Sequence, residues 1–270
     1  MTRETLAVRL SASVRQAWWF LALSVKGLQS YPQDFVIGAV GILFFHLSNL
    51  AAVYLVFNIS GNIGGWTARQ AVFLAALSNL RFAVGGIFFA GLHALPKYIR
   101  TGKLDQVLTR PVSPLFTLLC VDKDPADLAN VAVLAAALVW SAQSFSGVGL
   151  VTIVWFIVLM ALGLVATFGF TLLVVSPSFW ATAGNAFPLV FRLFWEFEAY
   201  PTRLFPSAVR FLLTWIFPVA VAVFIPSEVL LHGLPWTTAL ATVGAVAAVD
   251  ALLGLALFRL GLKRYHGGGH

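Results

Sequence analysis

The sequence predicts an all-α polytopic membrane protein, because it is very apolar, sparsely charged and contains long uncharged runs. Hydrophobic residues make up 60% of its 270 residues and charged residues only 10%. Soluble domains contain roughly 45–50% apolar and about 25% charged residues. No charged residue occurs in the 64 positions between Asp127 and Arg192. Such a composition suits a chain that is surrounded mostly by lipid.

The few reactive residues argue against an enzyme. The chain has one cysteine, Cys120, which excludes an intrachain disulfide framework. Its five histidines show no metal-ligand spacing, and it lacks the HExxH, GxSxG and phosphate-binding GxxxxGK motifs. The net charge of +7 arises from a shortage of acids, whereas nucleic-acid binders are rich in charge overall. We therefore expect no catalysis, no nucleic-acid partner and no cofactor bound by this chain.

Residues 1–30 carry apolar side chains three or four positions apart, interrupted by basic residues. Apolar residues occur at positions 6, 10, 14, 18, 21, 25 and 28, and Arg3, Arg9 and Arg15 lie among them. This spacing is typical of an amphipathic helix that lies in the membrane interface. The alternative is a short first span.

Five apolar segments approach the roughly 20 residues that a helix needs to cross the ~30 Å hydrocarbon core. The third and fourth form a helical hairpin, divided by the polar stretch 141–149. The predicted spans are residues 35–57, 71–92, 128–145, 150–175 and 237–259.

The basic residues predict the orientation. If the chain begins in the cytoplasm, 12 of its 17 Lys and Arg residues fall on the cytoplasmic side, as the positive-inside rule requires. Both termini and the 94–126 loop are then cytoplasmic. The twelve basic residues on the cytoplasmic side are Arg3, Arg9, Arg15, Lys26, Lys97, Arg100, Lys103, Arg110, Lys123, Arg259, Lys263 and Arg264.

Two further segments, 179–199 and 206–226, compete for one remaining span. Cytoplasmic termini require an even number of crossings, so only one of the two crosses. Hydropathy favours 206–226, because three charged residues interrupt 179–199. However, prolines at 206, 218 and 226 divide the second segment into short pieces. Such pieces are expected of a re-entrant hairpin packed within protein.

Three short motifs occur in separate parts of the chain. The first reads Ile99-Arg100-x-Gly102-x-Leu104-Asp105-x-x-Leu108-x-Arg110-Pro111. The second is Gly64-Gly65-Trp66-Thr67, and the third comprises Tyr200-Pro201, Pro206, Arg210, Leu213-Thr214, Pro218 and Pro226. Together and in their order along the chain, these motifs resemble the signatures of permease subunits of ABC-2 type ABC transporters.

The resemblance implies one six-helix permease domain over residues 1–270, with 179–199 as helix 5. It also implies an N-terminal amphipathic helix (1–30), a cytoplasmic coupling loop (94–126) and a re-entrant or extracytoplasmic element (200–235) before helix 6. Two copies of a separate ATPase would bind ATP and Mg²⁺, and a second permease, identical or different, would complete an exporter. The expected location is the inner (cytoplasmic) membrane, and the cargo is not indicated.

The resemblance assigns ATPase docking to a coupling helix in the 94–126 loop. Pro96 can begin this helix, Gly102 would bend it and Arg110-Pro111 would end it. Its apolar side chains would enter a groove on the ATPase, with cations around them. The alternative is a set of topology-setting charges near lipid headgroups. The docking residues are Ile99, Arg100, Gly102, Lys103, Leu104, Asp105, Leu108 and Arg110.

Several polar residues lie within the predicted spans. A charge at mid-bilayer costs about 2.5–3.5 kcal/mol on insertion scales, so it usually faces protein or a cavity. One interpretation is a polar translocation path between two subunits. The other is an Arg81–Asp250 pair that ties helix 2 to helix 6. The candidate residues are His46, Asn49, Asn79, Arg81 and Asp250.

Two other classes of function stay open at this point. A secondary transporter or channel-like protein would need no ATPase, but the chain shows no convincing internal repeat. A membrane-embedded transferase would need clustered acid, base or metal groups. The acids between 105 and 127 form the only cluster, and they have no histidine beside them.

Overall fold

The computed structural model describes residues 32–61, 63–122, 126–143, 145, 147–181 and 196–265, and these residues are predominantly helical. They contain no β-strand, only an isolated bridge between Ile63 and Trp66. The predicted amphipathic helix at 1–30 lies outside the described residues.

The described chain forms long helices joined by clusters of short ones. Three 3₁₀ helices (Ser176–Phe179, Glu196–Ala199 and Thr202–Leu204) and two π-helical segments (Leu212–Ile216 and Ala220–Phe224) occur between the last long helices. The α-helices are α1 (Pro32–Ile59), α2 (Ala68–His93), α3 (Leu95–Arg100), α4 (Lys103–Leu108), α5 (Pro114–Cys120), α6 (Ala126–Ala142), α7 (Leu150–Val175), α8 (Ser207–Phe211), α9 (Ile225–His232) and α10 (Trp236–Arg264).

Four helical stretches of the described chain are long and apolar enough to cross a bilayer. They are Val36–Ile59, Ala68–Arg100, Leu150–Phe179 and Trp236–Arg264, and each overlaps one predicted span. The apolar part of α6, Ala129–Ala142, is shorter than the length a single crossing needs. The all-helical membrane fold is therefore confirmed, with four spans by length and composition, or five if a bent helix pair counts as one.

The bent pair falls where the sequence predicts a broken segment. Ser207–Ile216 and Ala220–His232 meet at an angle of 81°. The break contains Pro218, whose ring and missing N–H prevent a continuous helix. The geometry is that of either a broken span or a re-entrant loop. The competing segment, 179–199, lies largely outside the described residues, and its described ends are 3₁₀ helices.

The Gly64-Gly65-Trp66-Thr67 motif forms the turn that begins α2. Both glycines have positive φ, +61° and +83°, a conformation that side chains disfavour. The Thr67 hydroxyl accepts a hydrogen bond from the Gln70 N–H, and the Gln70 side chain accepts one from the Thr67 N–H. This capping box satisfies two N–H groups at the start of the helix.

Trp66 joins this turn to the element that precedes α10. Its side chain is fully buried between the rings of Phe224 and His232, at centroid distances of 5.8 and 4.8 Å. Beneath His232, Glu228 is buried and forms an ion pair with Arg203. The second motif therefore packs against Phe224, which lies between Pro218 and Pro226 of the third motif, and against His232 beyond it.

Two glycines allow α7 and α10 to approach closely. A Cβ atom on Gly169 would collide with the backbone of Asp250 and Ala251, and one on Gly254 would collide with the Gly169 carbonyl oxygen. Small residues at such crossings let helix backbones pack closely within a membrane. Gly169 and Gly254 therefore permit the close contact between these two helices.

Candidate functional site

A polar groove of about 640 Å³ lies among α1, α2, α6 and the turn that ends at Tyr200. Three of the five candidate intramembrane residues, His46, Asn49 and Asn79, line it. They belong to two different helices, α1 and α2, and the fold brings them to one place. The remaining lining residues are Ile42, Phe45, Val53, Ser78, Phe82, Ala83, Asp127, Asn130, Ala199 and Tyr200.

His46 of α1 is hydrogen-bonded to α6 across the groove. Its Nε2 lies 2.9 Å from Oδ1 of Asn130, and Nδ2 of Asn130 lies 3.4 Å from Oδ1 of Asp127. An ionised carboxylate only accepts hydrogen bonds, so the amide NH₂ faces Asp127 and the amide oxygen faces His46. His46 therefore donates through Nε2–H, and Nδ1 carries the lone pair when the ring is neutral.

Asn79 of α2 uses its amide N–H to bond its own helix. Nδ2 donates to the carbonyl oxygen of Ala75 at 2.8 Å, which leaves the amide oxygen as the acceptor on this side chain. Asn49 of α1 is exposed along the same groove. An amide can donate and accept, so both residues suit a polar ligand or a hydrogen bond between helices.

Arg81 of α2 is paired with Glu198, not with Asp250. Its Nη2 lies 2.6 Å from Oε2 of Glu198, and both side chains are almost fully buried. The Ser78 hydroxyl donates to the same carboxylate oxygen at 3.1 Å. Of the two interpretations drawn from the sequence, the Arg81–Asp250 pair does not form, since Glu198 is the partner of Arg81. The 3₁₀ helix that carries Glu198 packs on α2, although it follows α7 in the chain.

Asp250 lies away from the groove, at the crossing of α7 and α10. It is buried, with a residue exposure of 7%, and its backbone lies against Gly169. Within the described part of the chain its Oδ2 has no hydrogen-bond partner. The structure therefore does not bring Asp250 together with the other four candidate residues.

The predicted coupling helix is two short helices, α3 and α4, divided at Gly102. Gly102 adopts a left-handed conformation with φ of +69°, so the predicted bend at this glycine is confirmed. The helix ends at Leu108, before the Arg110-Pro111 pair. Its cations Arg100, Lys103 and Arg110 are exposed.

The position of Leu104 differs from the prediction that its side chain enters a groove on the ATPase. Its side chain is completely buried inside this chain, in a cluster with Leu95, Leu118 and Phe258. It therefore holds α4 against the protein's own core and cannot insert into a partner without unfolding this contact. Ile99 packs partly against the same cluster, whereas Leu108 is 39% exposed.

The outward surface of α3 and α4 is consequently polar and basic, with Leu108 as its exposed apolar side chain. Asp105 is half-buried beside the exposed cations, and Tyr98 of α3 donates a hydrogen bond to Asp122 at 2.9 Å. Arg100, Lys103, Leu108 and Arg110 remain on the surface as docking candidates. The docking role itself stays a prediction.

Sequence reasoning missed Glu198, Asn130 and Ser78 as members of the site. A signal for Glu198 existed, because it is an acid in an apolar stretch and Arg81 is a cation within a predicted span. Buried charges are usually paired, so each required a partner. Asn130 and Ser78 carry no such signal, since uncharged polar residues are common within helices.

No group of three or more His, Cys, Asp or Glu side chains in the described residues could hold a metal ion. The lining of the groove offers hydrogen-bonding side chains, the aromatic rings of Phe45 and Phe82, and the Asp127 carboxylate.

These features define a class: a multi-pass helical membrane protein with a polar groove between its spans. The sequence comparison identifies the family more closely, since the model of the family described as "ABC-2 family transporter protein" matches residues 43–269. The chain therefore belongs to the ABC-2 family of transporter proteins, whose members are membrane permeases of ABC transporters. Neither a curated protein nor a solved structure matches it.

Proposed function

We propose that this chain is the permease subunit of an ATP-driven exporter, and that its polar groove forms part of the translocation path. The observation that carries the proposal is the meeting of His46, Asn49 and Asn79 at one groove. Polar residues within spans are costly unless they face protein or a cavity, and such residues commonly mark substrate paths. Family membership supports transport rather than catalysis.

The second part of the proposal is docking of a separate ATPase on the loop that contains α3 and α4. The exposed residues Arg100, Lys103 and Leu108 would contact it, while buried Leu104 and Val107 hold the loop to the membrane domain. Because the loop is attached firmly to the membrane domain, a movement of the ATPase would be transmitted through it to the spans. ATP and Mg²⁺ would bind the ATPase, two copies of which would serve a pair of permeases, identical or different.

We further propose six crossings with both termini in the cytoplasm, in the inner membrane. Four spans are long enough by themselves, and α6 together with one of the two ambiguous segments would supply the others. The excess of basic residues at both ends of the chain and in the 94–126 loop supports this orientation.

Co-purification with an ATPase tests this function. The partner is the product of an adjacent reading frame that contains a GxxxxGK motif, co-expressed with an affinity-tagged copy of this chain. We expect the two to elute together and to hydrolyse ATP in nanodiscs. The double charge reversal Arg100→Glu/Lys103→Glu should abolish co-elution while the permease still inserts.

A matched control is the reversal Arg259→Glu/Lys263→Glu at the end of α10, which changes the charge equally at other exposed positions. This control should keep the ATPase bound. Equal behaviour of the two double variants would mean that the loop charges only set topology. Absence of any ATPase from the wild-type preparation would favour a secondary transporter or channel-like protein.

A further inference from the structure

The groove contains a buried hydrogen-bond acceptor for which the described residues supply no donor. His46 is only 7% exposed, and its Nε2–H is engaged by Asn130. Within the described part of the chain, Nδ1 of this imidazole has no hydrogen-bond partner. An unsatisfied buried acceptor costs free energy, and a ligand that brings an N–H or O–H group would recover it.

Three polar side chains of the groove each use one donor within the protein. One amide N–H of Asn79 bonds Ala75, one amide N–H of Asn130 bonds Asp127, and the Ser78 hydroxyl bonds Glu198. Each amide keeps a second N–H, and the amide oxygen of Asn79 remains an acceptor for a ligand. Asn49 and Tyr200, which also line the groove, can accept as well as donate.

The groove also has an apolar wall with two aromatic faces. Phe45 and Phe82 line it and are 62% and 55% exposed. Asp127 supplies a carboxylate at its α6 end. An aromatic face and a carboxylate both favour a cation, and the apolar wall favours an alkyl or ring system beside it.

We infer that the groove binds an amphiphile whose head is a protonated amine, with its N–H groups donated to His46 and Asn79. This inference rests on the proposed function, because it names the class of cargo for the same groove. An ammonium head brings N–H donors for His46 Nδ1 and the Asn79 amide oxygen, and a charge that the Asp127 carboxylate attracts. An anionic head would lie beside that carboxylate, so the groove disfavours it.

Two probes with the same tail isolate the role of the N–H groups. Dodecylammonium carries three N–H donors, whereas dodecyltrimethylammonium has the same charge and no donor. Binding is measured to the purified chain in nanodiscs, with empty nanodiscs as the reference for membrane partition. We expect dodecylammonium to bind at least about tenfold more tightly, which corresponds to about 1.4 kcal/mol.

Variants of His46 test whether this selectivity belongs to the groove. His46→Phe keeps the ring but removes the acceptor and should erase the preference for dodecylammonium. His46→Gln offers one donor to Asn130 and one acceptor to the ligand, so it should retain most of the preference. Asn58→Ala changes an exposed amide on the same helix, outside this groove, and should behave as wild type.

The outcomes separate this inference from the proposed function. Equal affinity of the wild-type chain for the two probes, or an unchanged preference in His46→Phe, would overturn the inference. Co-elution of the ATPase from the same preparations would leave the permease proposal standing in that case. Selective amine binding without any ATPase would instead support the amine site and overturn the permease proposal.

Discussion

Arg81 and Glu198 form a buried ion pair that joins α2 to the 3₁₀ helix Glu196–Ala199, 117 residues further along the chain. The Nη2–Oε2 distance is 2.6 Å, and the side chains are 2% and 0% exposed. A buried pair stabilises little over a well-packed apolar pair, but removal of one partner leaves an uncompensated charge. This pair therefore makes the position of the turn beside the groove sensitive to either residue.

Arg81→Ala and Glu198→Ala should each destabilise the protein, by about 3–5 kcal/mol in free energy of unfolding. The double variant Arg81→Ala/Glu198→Ala should be more stable than either single variant, because neither charge is left alone. The stability of each variant is measured by thermal unfolding in detergent, with size-exclusion chromatography to monitor the folded fraction. Arg81→Ala/Asp250→Ala is the control, and its loss of stability should equal the sum of the losses of the two single variants. Coupling of Arg81 to Asp250 instead of Glu198 would contradict the structure.

Leu104→Asp should destabilise the membrane domain itself, before any effect on ATPase binding. The side chain is fully buried, and an unpaired charge placed there costs several kcal/mol. The matched change Leu108→Asp, at an exposed position of the same helix, should leave the melting temperature nearly unchanged. Both variants are compared by thermal unfolding in the absence of ATPase. Equal stability of the two would show that Leu104 is not part of the core.

Gly254→Ala should separate α7 from α10. Its new Cβ would meet the carbonyl oxygen of Gly169, and such overpacking typically costs about 1–3 kcal/mol. Gly244→Ala on the same helix is the control, because a Cβ there has no heavy atom within 4 Å. The control should be neutral or slightly stabilising, since alanine has a higher helix propensity than glycine. A lower melting temperature only for Gly254→Ala is expected, and similar values for both would contradict the close crossing.

Single cysteines should report the proposed orientation. In a Cys120→Ser background, Lys103→Cys and Lys263→Cys should react with a membrane-impermeant maleimide only after permeabilisation. Ser60→Cys, in the loop between α1 and α2, should react in intact cells. All three positions are exposed, so accessibility within the protein does not limit labelling. Labelling of position 103 from outside intact cells would contradict the proposed orientation and indicate the opposite one.

Much of the fold could be predicted because span length and backbone chemistry are local properties. The hydrocarbon thickness sets a minimum apolar length, and α1, α2, α7 and α10 each satisfy it within a predicted segment. The bend at Gly102 and the break at Pro218 follow from single residues whose backbone preferences are known. The charge pattern likewise marks the 94–126 loop as distinct from the spans.

The tertiary structure alone decided which distant side chains meet. The charge of Arg81 requires a partner, and the sequence offers two acids, Glu198 and Asp250, without distinguishing them. Only the packing of the 3₁₀ helix Glu196–Ala199 on α2 selects Glu198. Leu104 lies in a charged loop that suggests an outward surface, yet the packing of α4 on Phe258 buries it. The groove joins His46, Asn79 and Asn130 from three helices. Hydropathy is a sum over neighbours in the chain, whereas pairing and burial depend on distances between residues far apart in sequence.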